Sequence, residues 1–371
     1  MKSMKISKLL AMLLAFTMTV SLAACGTTTQ TEESTESQQT EETTEETKPE
    51  EETTETPAEE TEETAEETAS AEKTEINLGI ISGPTGLGML DLLEKNENGE
   101  AANSYNVTLA SAPDEITGKV ISGELDIAAV PTNVASTLYN KTEGGVQIAA
   151  LNTMGVLYVL ETGDTIQSVA DLAGKTIYAT GQGSTPEYAL NLVLEKNGLT
   201  PGEDVTIVYK DENAEIAPLL ASGEAEVALL PQPFVTSVTM QNENVRVALD
   251  LTEEWDKAVE GQSGLTMGCV VVRTEFAQNN KEALDSFLEE YKASVETVTS
   301  EEGLAHAAEL AEHYDILKAA VAQKAIPECN IVFVEGDEMQ QIASGFLQVL
   351  YDANPQSVGG NLPNDDFYYK R

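Results

Sequence analysis

Small polar residues follow two predicted strands, at the points where the chain turns into a helix. Thr85 and Gly86 come after an apolar strand, and Gly183-Ser184-Thr185 precedes a proline. A hydroxyl before a proline at the first helical position is typical of a helix N-terminus. Because such a terminus offers unpaired N–H groups and the positive end of the helix dipole, these residues can hold polar groups of a ligand. The alternative is that Ser184 and Thr185 cap their own helix and that Gly86 only serves a turn.

A second group of polar residues lies after two similar strands and within a long apolar run. Thr132 and Asn133 follow a predicted strand over residues 125–130, and Gln232 follows a similar one over residues 226–230. Their side chains can exchange hydrogen bonds with a polar solute, or the asparagine can simply cap the next helix. Asn152 and Thr153 interrupt the apolar run 146–160. They can line the floor of a cleft or act as hinge residues.

The chain offers little for catalysis or for a metal. Its two histidines, His306 and His313, share one face of a predicted helix with Glu309. One helix rarely supplies a complete metal site, so we interpret this as a solvated helix face. There is no nucleophile elbow, phosphate-binding glycine loop or paired-cysteine metal motif, so we expect no enzyme activity, no metal and no cofactor. The single tryptophan, Trp255, can stack on a ligand ring or lie in the core.

One segment of the chain recurs at a distance of a hundred residues. Residues 122–131 (SGELDIAAVP) return as residues 222–231 (SGEAEVALLP). Each copy has the pattern of a helix end, a glycine turn, a short buried strand and a proline. Two copies of one supersecondary unit predict two similar lobes. Because ligands bind beyond the carboxyl ends of strands in open α/β sheets, the strand ends of both lobes should face a shared cleft.

Strands and helices alternate along residues 74–371, which predicts an α/β fold with largely parallel sheets. Besides the broken run 146–160, we expect strands at residues 75–81, 106–110, 125–130, 176–179, 205–209, 226–230 and 265–273. We expect helices at residues 87–95, 113–122, 133–138, 186–197, 214–222, 281–299, 304–313, 315–325 and 338–351.

The N-terminal residues have the composition of a targeting signal followed by a linker. Lys2, Lys5 and Lys8 precede an apolar stretch that is too short to span a membrane comfortably, and Cys25 follows small residues, as in a bacterial lipobox. We expect a signal peptide over residues 1–24 and lipid attachment at Cys25; the alternative is a plain secretory signal whose cysteine is incidental. Residues 26–73 contain 18 glutamates against two lysines, so residues 25–73 should form a disordered tether.

The net charge limits the possible binding partners, and the cysteine content limits the possible disulfides. The net charge of −44 over 371 residues argues against nucleic acid or anionic lipid as a partner. Apart from Cys25, the chain has only Cys269 and Cys329. An exported pair can form a disulfide, but Cys269 lies in an apolar strand-like run, and two buried free thiols fit equally well.

Three stretches of the chain are informative together: residues 123–128 (GELDIA), 169–177 (VADLAGKTI) and 183–188 (GSTPEY). They resemble the substrate-binding lipoproteins of ABC importers, in the branch that serves nitrate, taurine, aliphatic sulfonates and thiamine-pyrimidine precursors, and the likeness extends over about residues 75–350. The resemblance implies a type-II periplasmic-binding-protein fold, in which two lobes joined by two crossover strands close over one solute. It implies lobe 1 over residues 74–155 and 268–371 and lobe 2 over residues 156–267.

The resemblance also implies a mode of action. The protein would be a monomer, held by its lipid anchor at the outer face of the cytoplasmic membrane, and would deliver a small-molecule ligand to ABC permease and ATPase subunits. The chain lacks the basic residues expected beside an oxyanion, so an anion, a neutral heteroaromatic and a cation all stay open as ligands. A sensing subunit on the same fold is an alternative. A thiamine-precursor enzyme is disfavoured by the export signal and by the absence of histidine near the predicted site.

Overall fold

Strands and helices alternate along the whole described chain. The computed structural model describes residues 73–111 and 113–371. Its strands are β1 (Glu75–Ile81), β2 (Ser104–Ala110), β3 (Ile127–Pro131), β4 (Val146–Met154), β5 (Leu157–Thr162), β6 (Thr176–Ala179), β7 (Thr206–Tyr209), β8 (Val227–Pro231), β9 (Val245–Asp250), β10 (Thr266–Arg273) and β11 (Ile331–Val334). Its helices are α1 (Pro84–Leu87), α2 (Leu90–Glu97), α3 (Pro113–Ser122), α4 (Thr132–Lys141), α5 (Thr185–Lys196), α6 (Asn213–Ser222), α7 (Phe234–Gln241), α8 (Leu251–Ala258), α9 (Thr274–Asn279), α10 (Lys281–Thr299), α11 (Leu304–His313), α12 (Ala319–Ala325) and α13 (Gly336–Ala353).

The strands form two separate sheets, of six and five strands, which share one order over five strands. The first sheet runs β2-β1-β3-β10-β4-β11, and the second runs β7-β6-β8-β5-β9. β1 pairs in parallel with β2 and β3, just as β6 pairs in parallel with β7 and β8. We call each sheet, with the helices that pack on it, a lobe. The prediction of a two-lobed α/β architecture is confirmed.

The repeat in the sequence is also a repeat in the structure. α3 and α6 span residues 113–122 and 213–222, and β3 and β8 span residues 127–131 and 227–231, so both pairs keep the offset of a hundred. The pairing register is conserved between the lobes, because Ile127 lies opposite Leu78 and Val227 lies opposite Ile177. Equivalent strands therefore end at equivalent points, and α4 and α7 follow those ends.

The prediction of largely parallel sheets is wrong for the strands that connect the lobes. β4 of the first sheet continues into β5 of the second after only Gly155 and Val156, and the chain returns through α8 and β10. β5 runs antiparallel to β8 and β9, and β10 runs antiparallel to β3 and β4. The reason is the direction in which each strand runs. The parallel strands of a lobe end at the edge that faces the other lobe. A strand that enters from the other lobe begins at that edge, so it runs antiparallel to its neighbours.

Several elements differ from the sequence prediction. The predicted helix 87–95 is instead the single turn α1 followed by α2, which begins at Leu90, and the helix predicted at 315–325 begins only at Ala319. The sequence prediction does not contain α7, β9, α8, α9 or β11. α8 buries only Leu251 and Trp255, so its apolar stripe is too narrow to stand out from the sequence.

Trp255 lies in the core. Its side chain is fully buried, its Nε1 donates to the Ser263 carbonyl at 3.0 Å, and its ring centroid lies 5.7 Å from that of Phe346. Phe346 belongs to α13, which packs on β4, β10 and α4 of the first lobe and also on α5 of the second. The lobes therefore share one apolar contact surface on the side of α8 and α13.

The two described cysteines are free thiols. Cys269 and Cys329 are buried, and burial raises the pKa of both, that of Cys329 to about 12. Within residues 73–111 and 113–371, no helix is long and apolar enough to cross a membrane. The predicted signal peptide, Cys25 and the tether up to residue 72 lie outside the described residues.

A buried carboxylate fixes the end of β5. Glu161 is 2% exposed and accepts hydrogen bonds from the Thr165 and Ile166 backbone N–H groups at 3.0 and 3.1 Å. Arg246 of β9 forms an ion pair with the same carboxylate and donates to the Ile166 carbonyl at 2.7 Å. Burial alone would raise the pKa of Glu161, but these hydrogen bonds and the arginine charge outweigh it and hold the pKa below its usual range.

Replacing Glu161 with glutamine should lower the free energy of unfolding by about 2 kcal/mol at neutral pH, because charged acceptors make the stronger hydrogen bonds. A lowered pKa stabilises the fold above the ordinary glutamate pKa of about 4.3, and this contribution disappears as the pH falls through the lowered value. Urea unfolding of both proteins across this pH range measures the difference. Glu203→Gln, at an exposed position in the same lobe, is the control. A difference that persists undiminished in acid would contradict this account.

Candidate functional site

The turn after β1 is held by its own backbone. The half-buried Thr85 donates its hydroxyl proton to the Ile81 carbonyl at 3.2 Å. A Cβ on Gly86 would lie 2.7 Å from the same carbonyl oxygen, so this position admits no larger residue without a shift. The structure therefore gives Gly86 the turn role that the sequence left as an alternative.

The loop before α5 is also largely self-contained. Ser184 precedes the helix, but its hydroxyl donates to the Gly181 carbonyl at 2.7 Å and makes no capping bond. The Gly183 N–H donates to the Glu187 carboxylate at 2.5 Å. An acidic side chain of the first helical turn therefore occupies a backbone donor that the sequence analysis assigns to a ligand.

Thr185 and Asn133 connect the two lobes directly. Thr185 is the first residue of α5 and Asn133 is the second of α4, and both side chains are almost fully buried. The Thr185 hydroxyl donates to Asn133 Oδ1 at 3.1 Å, and Asn133 Nδ2 donates to the Ser357 carbonyl at 3.1 Å. Ser357 belongs to the C-terminal segment that crosses α4. The structure thus brings the helix starts of the two lobes into contact.

Buried hydroxyls and amides continue from this contact across the first sheet. The hydroxyls of Thr132 and Thr266 lie 3.0 Å apart, and Thr266 donates to the Thr153 carbonyl at 3.5 Å. The Thr153 hydroxyl in turn donates to Asn152 Oδ1 at 3.1 Å. All of these side chains are at most 1% exposed. We call this connected set, together with the adjacent Thr85, the polar seam; it consists of Thr85, Thr132, Asn133, Asn152, Thr153, Thr185 and Thr266.

Gly268 of β10 lets Thr85 reach the seam. A Cβ on Gly268 would lie 2.5 Å from Asn152 Oδ1 and 2.6 Å from the Thr85 methyl carbon, so the two side chains converge on this glycine. Gly268 and Thr266 are not among the predicted site residues. A usable signal existed, because a threonine and a glycine precede the apolar run 269–272 of β10, and Gly268 lies opposite Thr153 of β4.

Gln232 turns away from the seam. Its Oε1 accepts hydrogen bonds from the Thr236 N–H at 3.2 Å and from the Thr236 hydroxyl at 2.9 Å, within the first turn of α7. Of the predicted ligand residues, the structure therefore brings Thr132, Asn133, Asn152, Thr153 and Thr185 together along one line of hydrogen bonds, and the methyl group of Thr85 approaches that line at Gly268. It leaves Gly86, Gly183, Ser184 and Gln232 bonded within their own turns.

The Asn152 amide faces a buried phenol. Among the described residues, Asn152 Nδ2 makes no hydrogen bond of ordinary geometry although the residue is fully buried. The buried Tyr291 hydroxyl lies beside it and likewise makes none. Burial raises the pKa of Tyr291, and hydrogen bonding from the neighbouring Asn152 amide opposes part of that rise. The two groups therefore face each other as donor and acceptor.

The crossover between the lobes borders an acidic cavity of about 270 Å³. Asp250, which accepts the Thr252 N–H at 2.8 Å at the start of α8, contributes to it. Burial and then the charges of Asp250 and Glu328 raise the pKa of Tyr158 to about 12, and burial and Asp250 raise that of Asp256. The surroundings of the crossover therefore have a negative potential.

The two histidines are paired with glutamates of α2. His306 Nε2 lies 2.8 Å from a Glu94 oxygen, and His313 Nε2 lies 3.1 Å from a Glu97 oxygen. Glu94 raises the pKa of His306 through this hydrogen bond. No group of three or more potential metal ligands is present within residues 73–111 and 113–371.

Comparison with known proteins identifies relatives by sequence and by fold. Residues 100–320 match the sequence profile of a family described as ABC transporter, phosphonate, periplasmic substrate-binding protein. No curated protein shows significant sequence similarity to the chain.

Solved structures show the same fold at low identity. An ABC transporter structure from Parabacteroides distasonis is 23% identical over 81% of this chain and 100% of its own, with a TM-score of 0.67. The periplasmic aliphatic sulphonate binding protein from Escherichia coli is 16% identical over 80% of this chain and 92% of its own, with a TM-score of 0.63. The alkanesulfonate-binding protein from Xanthomonas axonopodis pv. citri, bound to MOPS, is 17% identical over 80% and 96%, with a TM-score of 0.60.

The profile covers more than half of the chain and includes α4, α5 and most of the polar seam. The chain therefore belongs to the family of phosphonate-type periplasmic substrate-binding proteins of ABC transporters.

Proposed function

We propose that the protein captures a small polar solute between its two lobes, at the polar seam, and passes it to a permease. As a periplasmic substrate-binding protein of an ABC importer, it acts outside the cytoplasm, on a small molecule, with permease and ATPase subunits as partners. The observation that carries the site proposal is the Thr185–Asn133 hydrogen bond, because it joins the helix starts of both lobes. In this family the role is transport rather than catalysis, and we assign no catalytic residue.

Closure of the lobes would trap the solute. We propose that residues 74–155 and 268–371 move as one lobe and residues 156–267 as the other, about the crossovers β4–β5 and α8–β10. A ligand that contacts both lobes stabilises the closed state by its differential affinity for it. The seam residues supply most of the contacts in this proposal, Gly183 and Ser184 adjoin them, and Gly86 and Gln232 contribute through their backbone.

The relatives suggest which solutes to test first. The family description names phosphonate, and two of the similar structures are described as binding sulphonates or alkanesulfonates. We propose an organic molecule with such an acceptor head group as the ligand. A thermal-shift screen of the whole chain against phosphonates, sulfonates, nitrate, bicarbonate, pyrimidines and polyamines tests this, because a ligand that binds only the folded state raises Tm.

We also propose that Cys25 carries the lipid that holds the protein, as a monomer, at the outer face of the cytoplasmic membrane. The apolar stretch before Cys25 and the glutamate-rich linker after it support this anchor. Several acyl chains on one residue give firm attachment, at about 0.8 kcal/mol per buried methylene. We propose no nucleic-acid partner, because the net charge of −44 would repel a nucleic acid.

Replacing Cys25 with serine should move the protein from the membrane fraction to the soluble fraction, since the lipid has no other attachment point in this proposal. Fractionation of cells that express either chain, with mass spectrometry of the N-terminal peptide, measures this. Cys269→Ser is the matched control, because that thiol is buried in β10. Retention of the Cys25 variant on the membrane would reject lipid anchoring at this residue.

The double change Ser184→Ala and Thr185→Ala should weaken the best solute from the screen by about tenfold or more, because it removes two hydroxyls at the start of α5. Isothermal titration measures the change in Kd. Thr206→Ala with Ser222→Ala, two exposed positions in the same lobe, should leave Kd unchanged. Equal affinities in the wild type and the first variant would remove this turn from the site.

Gly268→Ala should weaken the same solute while the lobes still fold, because the added methyl displaces Asn152 and Thr85 from their positions. We expect a loss of about tenfold, comparable to the loss of one good hydrogen bond to a polar ligand group. Gly118→Ala is the control, because a Cβ there meets open space. Unchanged affinity in the Gly268 variant would place the ligand away from β10.

A further inference from the structure

A further cavity, of about 360 Å³, lies where three helices end. Each helix lines it with residues of its last turn or with the residues that follow it directly. These are Leu192 and Glu195 of α5, Val259 and Glu260 after α8, and Val349 and Asp352 of α13. None of the residues of the polar seam lines this cavity. It is therefore a second concave surface, separate from the proposed solute site.

The floor of this cavity is apolar. Leu192 and Val259 are each 7% exposed, and Val349 is half-buried. These side chains can cover the apolar body of a guest, and the volume falls within the usual range of small-molecule sites, about 300–1,000 Å³. Exposed carboxylates alone are ordinary on a chain with a net charge of −44. The apolar floor, enclosed by three helices, is what distinguishes this place from the rest of an acidic surface.

The rim of the cavity carries an excess of negative charge. Glu195, Glu260 and Asp352 are exposed there, and Lys196 is the single basic residue of the lining. Asp352 accepts a hydrogen bond from Gln348 at 2.8 Å. Within the described part of the chain, no ion pair joins Lys196 to any of the three carboxylates. Three carboxylates therefore face one ammonium group that neutralises none of them directly.

The three helix ends add negative partial charge. The C-terminus of a helix has unpaired carbonyl groups and the negative end of the dipole, which favours cations. The last turn of α13 contains no basic residue. Lys257, in the last turn of α8, forms an ion pair with Glu254 at 2.8 Å and does not line the cavity. The side chains of the protein thus leave most of this negative potential uncompensated.

We propose that this cavity binds a small organic cation, with an ammonium or amidinium group at the rim and an apolar body against Leu192, Val259 and Val349. A bare metal ion would leave the apolar floor unused, and an anion would meet three carboxylates. This second site adds to the capture of a solute at the polar seam and does not depend on it.

An occupant of this cavity touches both proposed lobes. α5 and α8 lie within residues 156–267, whereas α13 lies within residues 268–371, and Trp255 of α8 contacts Phe346 of α13. A ligand that bridges these helices stabilises the present arrangement of the lobes by its differential affinity for it. Because coupling between two sites is reciprocal, the cation and a solute at the seam should tighten each other's binding by the same factor.

Four probes separate the contribution of charge from that of apolar area on the full chain. Phenethylammonium has an aromatic ring and a positive charge, 2-phenylethanol has the ring without charge, 3-phenylpropanoate has the ring with a negative charge, and methylammonium has the charge without the ring. Isothermal titration should give phenethylammonium an affinity at least about tenfold above that of 2-phenylethanol, and the affinity should fall as salt is added. Methylammonium should also bind at least about tenfold more weakly. Equal affinities for phenethylammonium and 2-phenylethanol, tighter binding of the anion, or no binding of phenethylammonium would overturn the site.

Glu195→Gln with Glu260→Gln removes two charges from the rim and keeps the shape of the side chains. Affinity for phenethylammonium should fall at least about threefold, and affinity for 2-phenylethanol should stay the same. Glu203→Gln with Glu243→Gln makes the same charge change at exposed positions elsewhere in the second lobe and should alter neither. Equal losses in the two double variants would show that only the net charge attracts the cation, and this result would reject the cavity as its site.

Glycine at position 260 separates binding from folding. Glu260 has a φ of 54°, a left-handed conformation that glycine adopts without strain. Glu260→Gly should therefore weaken phenethylammonium at least about twofold without lowering Tm. The Ser184→Ala and Thr185→Ala variant should bind phenethylammonium as the wild type does. A loss of affinity in that variant would place the cation at the polar seam and overturn the second site.

The best solute from the screen tests the coupling. Its Kd should be at least about threefold lower in saturating phenethylammonium than in its absence. An unchanged Kd would overturn the coupling and leave the cation site intact. If phenethylammonium binds and no solute of the screen does, the proposed solute site fails while the cation site stands.

Discussion

The chain passes between the lobes twice, and each arriving strand pairs on both of its edges. β5 lies between β8 and β9, and β10 lies between β3 and β4. A strand bonded on both sides cannot slide without breaking two hydrogen-bond ladders, so the edges where the strands of each lobe end stay opposed. α4 and α5 begin at these edges, which is why their first residues can meet. The polar seam follows from this constraint rather than from any local property of the helices.

The Asn133 side chain makes two hydrogen bonds, one from each end of its amide. Its amide nitrogen holds the C-terminal segment through Ser357, and its oxygen holds Thr185 of the opposite lobe. Because an amide has distinct donor and acceptor ends, the first bond orients the second. The apolar contact of Trp255 with Phe346 joins the lobes on another side, where no polar direction is needed. The Trp255–Phe346 contact thus holds the lobes together, and the Asn133–Thr185 hydrogen bond sets how the starts of α4 and α5 face each other.

The sequence predicts the architecture well because the repeat and the alternation of elements are local signals. α3, α10 and α11 begin and end where expected, and β3 and β8 lie within a residue or two of their predicted bounds. β9 and α8 escape prediction because few of their residues are buried. The site is harder to predict, since its contacts join distant positions: Thr185 and Asn133 are 52 residues apart, and Asn133 and Ser357 are 224 apart. Polar residues at helix starts are visible in the sequence, but the partners that take their protons are not.

The lobes share their topology and differ in the chemistry of their edges. The first lobe presents a one-turn helix and the buried amide of Asn152, whereas the second presents a full helix at whose start the Glu187 carboxylate accepts the Gly183 N–H. At the offset of a hundred, Gln232 is the counterpart of Thr132: the Thr132 hydroxyl lies 3.0 Å from that of Thr266, whereas the Gln232 oxygen accepts the Thr236 N–H within its own turn. The two lobes therefore share one backbone frame, and a few polar side chains at the helix starts make their facing edges chemically unlike.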